Sequence, residues 1–361
     1  MARNSNFVVI TTGNHSTSDF WPFSRKNMPK PFLDLLGIGK SLLQLTYERC
    51  QALCDESHIM VATTEPYASL VKEQLPQLAD QQLLVEPTHR GAAVCAAYAA
   101  YRIEQLNPSA VIIMMPADHA ILGEVAFLRD MGKAIEVATV DPKKLLMIGI
   151  KPSQPETRYR YIQYHYDNAG VVKKVKTLTD KPQIEIANLF VNSGDFVWNT
   201  DIYVWHVSAI ITAVQKHLPE VAEVFYPGAQ HYNTEQESAF LKKAYSQCKN
   251  IPLSYGILEK YDHQYVLVGS FDWSSIDSWH SLFSLKTQGN GDNTIEANAL
   301  HFNSKGCYIK STDGKLIIVH SLHNYLVADS SDVLLICPKS EVEHLKHIMK
   351  QAKEQKGSEY I

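Results

Sequence analysis

The sequence predicts an α/β protein: a parallel sheet with helices on both faces, followed by a small C-terminal β domain. Three observations carry this expectation. Short apolar or β-branched runs alternate with helical patterns through the first 150 residues. Those runs are apolar at consecutive positions, as strands buried on both faces require. After a polar, Gly- and Asn-containing break at 289–293, the chain turns to short strands at close spacing.

In order, the runs at 7–12, 58–63, 83–86, 110–115 and 145–150 read as strands, and 41–54, 67–75, 91–104 and 124–138 as helices. Ligands of such sheets bind beyond the carboxyl ends of the strands, which singles out the loops after Thr12, Glu86 and Met115. From 158 to 205 the pattern changes. Residues 159–166 alternate aromatic and polar side chains and 171–178 follow, which suggests antiparallel strands. Helical patterns at 207–217 and 235–246 precede a strand at 265–268 and the Trp-rich FDWSSIDSW. Past the break, 307–311, 315–319, 325–328 and 333–337 read as strands of a small β-solenoid or sandwich, and a charged helix near 340–354 ends the chain. The expected domains are 1–285 and 294–361.

Composition narrows the function classes. A chain of 361 residues suggests two domains and is long enough for a sizeable core. Its 34 Lys+Arg against 38 Asp+Glu give a net charge of −4 without a block of one sign. That argues against a nucleic-acid partner. No apolar run approaches the ~18 residues of a membrane span, and a short polar start leads straight into FVVIT, so a cytoplasmic protein with neither leader nor membrane partner is expected. The six cysteines contain no CxxC pair and read as reduced, buried thiols. Cys50 and Cys54, one helical turn apart, make a poor metal site, and His344 and His347 read as solvated.

An ordered set of segments resembles the bacterial mannose-1-phosphate guanylyltransferase (GDP-mannose pyrophosphorylase) family. These are WPFSRKNMPKPFLDLLGIGKSLLQLTYERC, LVKEQLP, EP-x-x-R at 86–90, PADH at 116–119, GIKPSQPET at 149–157, DKP at 180–182, WNT at 198–200, ILEK at 257–260 and FDWSSIDSW. They span nearly the whole chain. The isomerase domain appended in longer relatives has no counterpart. The resemblance implies a Rossmann-like nucleotide-diphospho-sugar transferase domain with a mixed, mostly parallel sheet. The implied reaction is GTP plus mannose 1-phosphate to GDP-mannose plus pyrophosphate, with Mg²⁺ as cofactor. Implied partners are GTP or a GDP-sugar, a sugar phosphate, and either a second copy of the chain or an active paralogue.

Carried over position by position, the resemblance implies these roles. Lys30 reaches the phosphates. Gly13, Asn14 and Arg90 contact the nucleotide. Asp118 holds the metal. Asp180, Lys181 and Asn199 line the sugar-phosphate pocket together with Arg158 and Arg160. The sequence also departs from the family at grouped positions. Asn14, His15 and Thr17 stand where the phosphate loop of the family has its three glycines, and Asp19 stands where the family has an Arg. Ser275 replaces the second metal carboxylate. Arg158, Arg160 and Asp201 occupy three former glycines near the hexose. Close approach of backbone to phosphate needs those glycines, and an Arg at a phosphoryl transition state is worth ~10³–10⁵ in rate. A weak or non-catalytic paralogue is therefore expected. The alternatives are an active enzyme, or a nucleotidyltransferase of altered specificity in which the two arginines recognise a further anion. A lone buried guanidinium needs a carboxylate, so Asp201 is the expected partner of Arg158 or Arg160. Plainer roles stand beside these: Lys30 as a surface lysine, Asp118 as a cap, Asn199 as a turn residue, Asp180–Lys181 as a surface pair, and Trp21, Trp198, Trp273 and Trp279 as packing residues.

Overall fold

The structure, a computed structural model, describes residues 5–13, 19–166, 170–286 and 292–361. In chain order its helices and strands are β1 (Asn6–Thr11), α1 (Leu42–Cys50), β2 (Ile59–Thr64), α2 (Ala68–Gln74), β3 (Leu83–Glu86), α3 (Ala92–Leu106), β4 (Val111–Pro116), β5 (His119–Leu122), α4 (Glu124–Val140), β6 (Leu145–Ile150), β7 (Tyr161–Tyr164), β8 (Val172–Thr179), α5 (Ile184–Ser193), β9 (Phe196–His206), α6 (Val207–His217), α7 (Pro219–Phe225), α8 (Glu237–Gln247), β10 (Gln264–Gly269), β11 (Asp272–Ser275), α9 (Trp279–Lys286), β12 (Thr294–Glu296), β13 (Ala299–Phe302), β14 (Tyr308–Ser311), β15 (Ile317–His320), β16 (Tyr325–Asp329), β17 (Leu334–Pro338) and α10 (Leu345–Lys356). No helix among the described residues is long and apolar enough to cross a membrane.

The contacts do not divide the chain at one cut near 285–294. They gather it into two compact units, the first made of Met1–Asn14, Thr46–Ala117 and Ile121–Trp273, the second of His15–Leu45, Asp118–Ala120 and Ser274–Ile361.

The first unit is built on a nine-stranded sheet in the order β3-β2-β1-β4-β9-β6-β10-β8-β7. Strands β1 to β4 pair in parallel, as their buried apolar runs predict, and β6 pairs in parallel with β10. The sheet is mixed because β9 lies antiparallel between β4 and β6, and β7 and β8 form an antiparallel edge. Sequence reading misses β9 as a separate strand. Its centre carries Asn199, Thr200 and Asp201, and Asp201 takes a left-handed φ of +54°. The strand order reverses between β1 and β4, where open α/β sheets place their ligands. Helix α3 buries eleven of its fifteen residues against this sheet, with α6 and α7 in the same core.

The second unit explains the interleaving. Its core joins Phe20, Trp21, Phe23 and Leu35 to Trp279, Phe283, Tyr308, Leu326, Leu345 and Met349. The Trp279 indole N–H donates to the Trp21 carbonyl at 3.1 Å, and that of Trp21 donates to the Tyr360 carbonyl at 2.7 Å. Strands β12, β14 and β16 stack in parallel, as do β13 and β15, around Cys307, Ile309, Val319 and Val327.

Candidate functional site

Within the second unit, the residues assigned to phosphate and metal contact form one charged cluster. Lys30 opens a short 3₁₀ turn, Lys30–Phe32, whose Pro31 and Phe32 are buried and fix the direction of the lysine stem. Asp118 is held by its main chain, since its carbonyl accepts the Ile276 N–H at 3.0 Å. The Lys30 Nζ lies 2.8 Å from Asp118 Oδ2 and 4.0 Å from Asp19 Oδ2. Burial alone would lower the lysine. Asp118, with Asp19 and Asp277 further out, instead holds it above the usual lysine range. Burial likewise opposes ionisation of Asp118, but Lys30 and His119 keep its carboxyl below the ordinary aspartate value. The cluster thus sets several carboxylates around one ammonium, and its excess charge is negative.

The implied Mg²⁺ can be tested against these donors. Mg²⁺ takes charged oxygens in near-octahedral geometry. Asp118 is committed to Lys30, and position 275 supplies a hydroxyl instead of a carboxylate. No group of three or more His, Cys, Asp or Glu that could hold a metal exists among the described residues. This donor set does not fit a resident divalent cation.

In the first unit, Gly13 keeps a left-handed φ of +74°, and an added Cβ there would meet nothing within 4 Å. Asn14 lies outside the described residues. Arg90 is turned to structural work. Its Nε donates to the Tyr245 carbonyl at 3.2 Å, and its own carbonyl accepts the Ile251 N–H at 3.0 Å.

The two new arginines both find carboxylates, but not the expected one. Arg158 makes a two-pronged pair with Glu156, Nε to Oε1 at 2.9 Å and Nη2 to Oε2 at 2.6 Å. Arg160 Nε lies 3.1 Å from Asp180 Oδ1. Asp201 is within electrostatic reach of Arg160, yet its Oδ1 accepts the Tyr203 hydroxyl at 2.7 Å and the Asn199 Nδ2 at 3.0 Å. A carboxylate two residues away in a fixed loop is the cheaper partner for Arg158, because less chain must be ordered to present it. Asn199 is buried and closes a local ring with Asp201, whose N–H it also accepts at 3.0 Å. Arg160, Asp180, Asn199 and Tyr255 line a cavity of about 160 Å³, below the roughly 300–1,000 Å³ of ordinary ligand pockets. Lys181 is exposed beside it. Sequence reading overlooks Glu156, though the spacing E-T-R already displays it.

The strand alternation and the order reversal between β1 and β4 define an open α/β sheet of the ligand-binding kind. Residues 9–289 match the nucleotidyl transferase family, and the chain belongs to it. Within that family it is similar to the mannose-1-phosphate guanylyltransferase of Klebsiella pneumoniae, with 29% identity over 361 residues, 98% of this chain and 75% of the relative. It is likewise similar to the alginate biosynthesis protein AlgA of Pseudomonas aeruginosa, with 28% identity over 356 residues, 97% of this chain and 73% of the relative. The fold is that of a crystal structure described as mannose-1-phosphate geranyltransferase from Thermus thermophilus. That match has a TM-score of 0.86 at 22% identity and covers 97% of this chain and 99% of the other.

Proposed function

We propose that the chain is a strongly impaired or non-catalytic relative of the mannose-1-phosphate guanylyltransferases, acting as a regulatory paralogue of an active enzyme. The observation that carries this reading is the Lys30 ammonium, 2.8 Å from Asp118 with Asp19 at 4.0 Å. Transfer of a nucleotidyl group from GTP to mannose 1-phosphate brings two polyanions together, so the protein must neutralise charge and hold the groups in line. Here the one lysine assigned to that work is already neutralised, and the residue in the Arg position adds negative charge. The small cavity at Arg160 supports the same reading, because protein carboxylates take the place of a substrate anion there.

The test is pyrophosphate release from GTP, mannose 1-phosphate and Mg²⁺. The expected rate is that of the blank, and turnover of about 1 s⁻¹ or more, ordinary for an enzyme, overturns the reading. The double variant Asp19→Arg with Ser275→Asp is expected to gain measurable activity.

A further inference from the structure

A second cavity, of about 700 Å³, lies in the first unit between β3 and α8 and shares no residue with the Lys30 cluster or the Arg160 cavity. Strand β3 is an edge of the nine-stranded sheet and pairs with β2 alone. Among the described residues, no main-chain hydrogen bond joins it to an element on its other side. An open edge presents unpaired N–H and C=O groups, and in a parallel ladder they belong to every second residue. The cavity follows such a set, since Gln81, Leu83, Val85 and Pro87 line it. The intervening Gln82, Leu84 and Glu86 are buried, and Glu86 turns to Tyr245 of α8. From Gln81 to Pro87 the edge is about 20 Å long at the usual rise of a parallel strand. Ser238 and Leu241 of α8 form the facing wall.

Charge distinguishes the two ends of this groove. Helix α3 runs back against β3, and α8 runs with it. Tyr245, near the end of α8, meets Glu86 at the end of the strand. Glu237, the first residue of α8, meets Arg102, about two turns along α3 from the Cys95 that also bonds Glu86. Glu235, just before α8, therefore lies toward the start of β3, where Asp80 stands; both line the cavity. The two cations of the lining are already paired, Arg102 with Glu237 at 2.8 Å and Lys242 with Glu65 at 3.4 Å. Asp80 meets the half-exposed Lys72 outside the lining at 2.5 Å, and Glu235 forms no ion pair among the described residues. The end of the groove at the start of β3 is left acidic.

We propose that this groove takes an extended segment of a partner protein as a further strand beside β3, with a Lys or Arg side chain at its acidic end. The main chain of such a segment pairs with the open edge and supplies affinity, while its alternate side chains set specificity. Apolar side chains on one face of the segment lie against Leu241 of α8, and the basic one meets Glu235 and Asp80. The inference stands apart from the reading of the Lys30 cluster, and either can fail without the other.

The experiment selects phage-displayed random heptapeptides on the full chain, then titrates the enriched sequence as a synthetic peptide. Enriched peptides are expected to alternate apolar with polar residues and to carry Lys or Arg at one end. On binding, hydrogen exchange should slow in the segment 83–87. Methylating every second peptide nitrogen removes main-chain donors and keeps the side chains; in one of the two alternating registers it is expected to abolish binding. Asp80→Lys with Glu235→Lys is expected to weaken binding by about tenfold or more. Ser238 is exposed on the wall of the groove, and Ser238→Trp is expected to abolish binding with the melting temperature unchanged. The proposal is overturned if no peptide is enriched over an uncoated surface, or if the enriched peptides are acidic. Binding that survives methylation in both registers, the double charge reversal or Ser238→Trp overturns it equally, as does unchanged exchange in 83–87.

Discussion

At the scale of single residues, the account rests on which charge meets which. Lys30 and Asp118 are side chains 12% and 20% exposed, so their pairing stabilises the fold. Asp118→Asn is expected to lower stability by about 1–3 kcal/mol at pH 7, read by urea unfolding. The sign with pH follows from the direction of each shift. Asp118 is held below its ordinary 3.8, so its contribution is present above that pH and lost as pH falls through the still lower folded value. Lys30 is held above its ordinary 10.5, so its share persists below that pH and fades in stronger alkali. Wild type and Asp118→Asn should therefore differ most between these limits and converge in strong acid, with the gap also narrowing in strong alkali. The arginines show what the sequence makes legible at this scale. That Arg158 and Arg160 need carboxylates follows from their charge and the loss of glycine. Which carboxylate each takes depends on loop geometry, and Asp201 is diverted by Tyr203 and Asn199.

At the scale of elements, two packing sites carry predictions. Glu86, at the end of β3, is buried and accepts the Tyr245 hydroxyl of α8 at 2.9 Å. Burial pushes its carboxyl up to about 7, partly offset by hydrogen bonds from Tyr245 and Cys95. The native state therefore holds a proton that the unfolded state releases near 4.5. The resulting stability is fully present below about 4.5 and lost as pH rises through about 7, with a span on the order of 3 kcal/mol. Glu86→Gln should flatten that part of the stability–pH curve, and an unchanged curve would show that Glu86 does not titrate there. Gly149 on β6 is the second site. A Cβ there would run into Val197 Cγ2 and stand 2.9 Å from Val266 Cγ2. Gly149→Ala should cost about 1–3 kcal/mol by overpacking, measured by denaturant midpoint. Elements with uniform apolar runs, β1 to β4 and β6, were legible from sequence. Helix α5 was not, because IEIANLFVNS is a short segment rich in Ile, Val and Phe that reads equally as a strand, and it leaves Ile184, Ile186 and Leu189 exposed.

At the scale of the whole molecule, the division into units follows long-range packing that no local pattern announces. Phe20, Trp21 and Phe23 look like part of a first domain, yet their core partners Trp279, Tyr308 and Met349 come from the far end of the chain. A chain ending at Leu285 should therefore expose these rings and aggregate, while the full chain stays monodisperse in light scattering. A soluble, cooperatively folding 1–285 fragment would contradict the interleaved core. The family relationship was legible because ordered segments span the chain. The departures from the family at Asp19 and Ser275 were legible in the sequence, but the direct Lys30–Asp118 contact needed the fold. The most direct measurement of the central claim is a calorimetric titration of GTP with Mg²⁺ into wild type and Asp19→Arg. The account predicts no saturable heat for wild type at sub-millimolar GTP and binding at least about tenfold tighter in Asp19→Arg, as reversal of a nearby charge requires. Micromolar GTP binding by the wild-type chain, unchanged by Asp19→Arg, would contradict it.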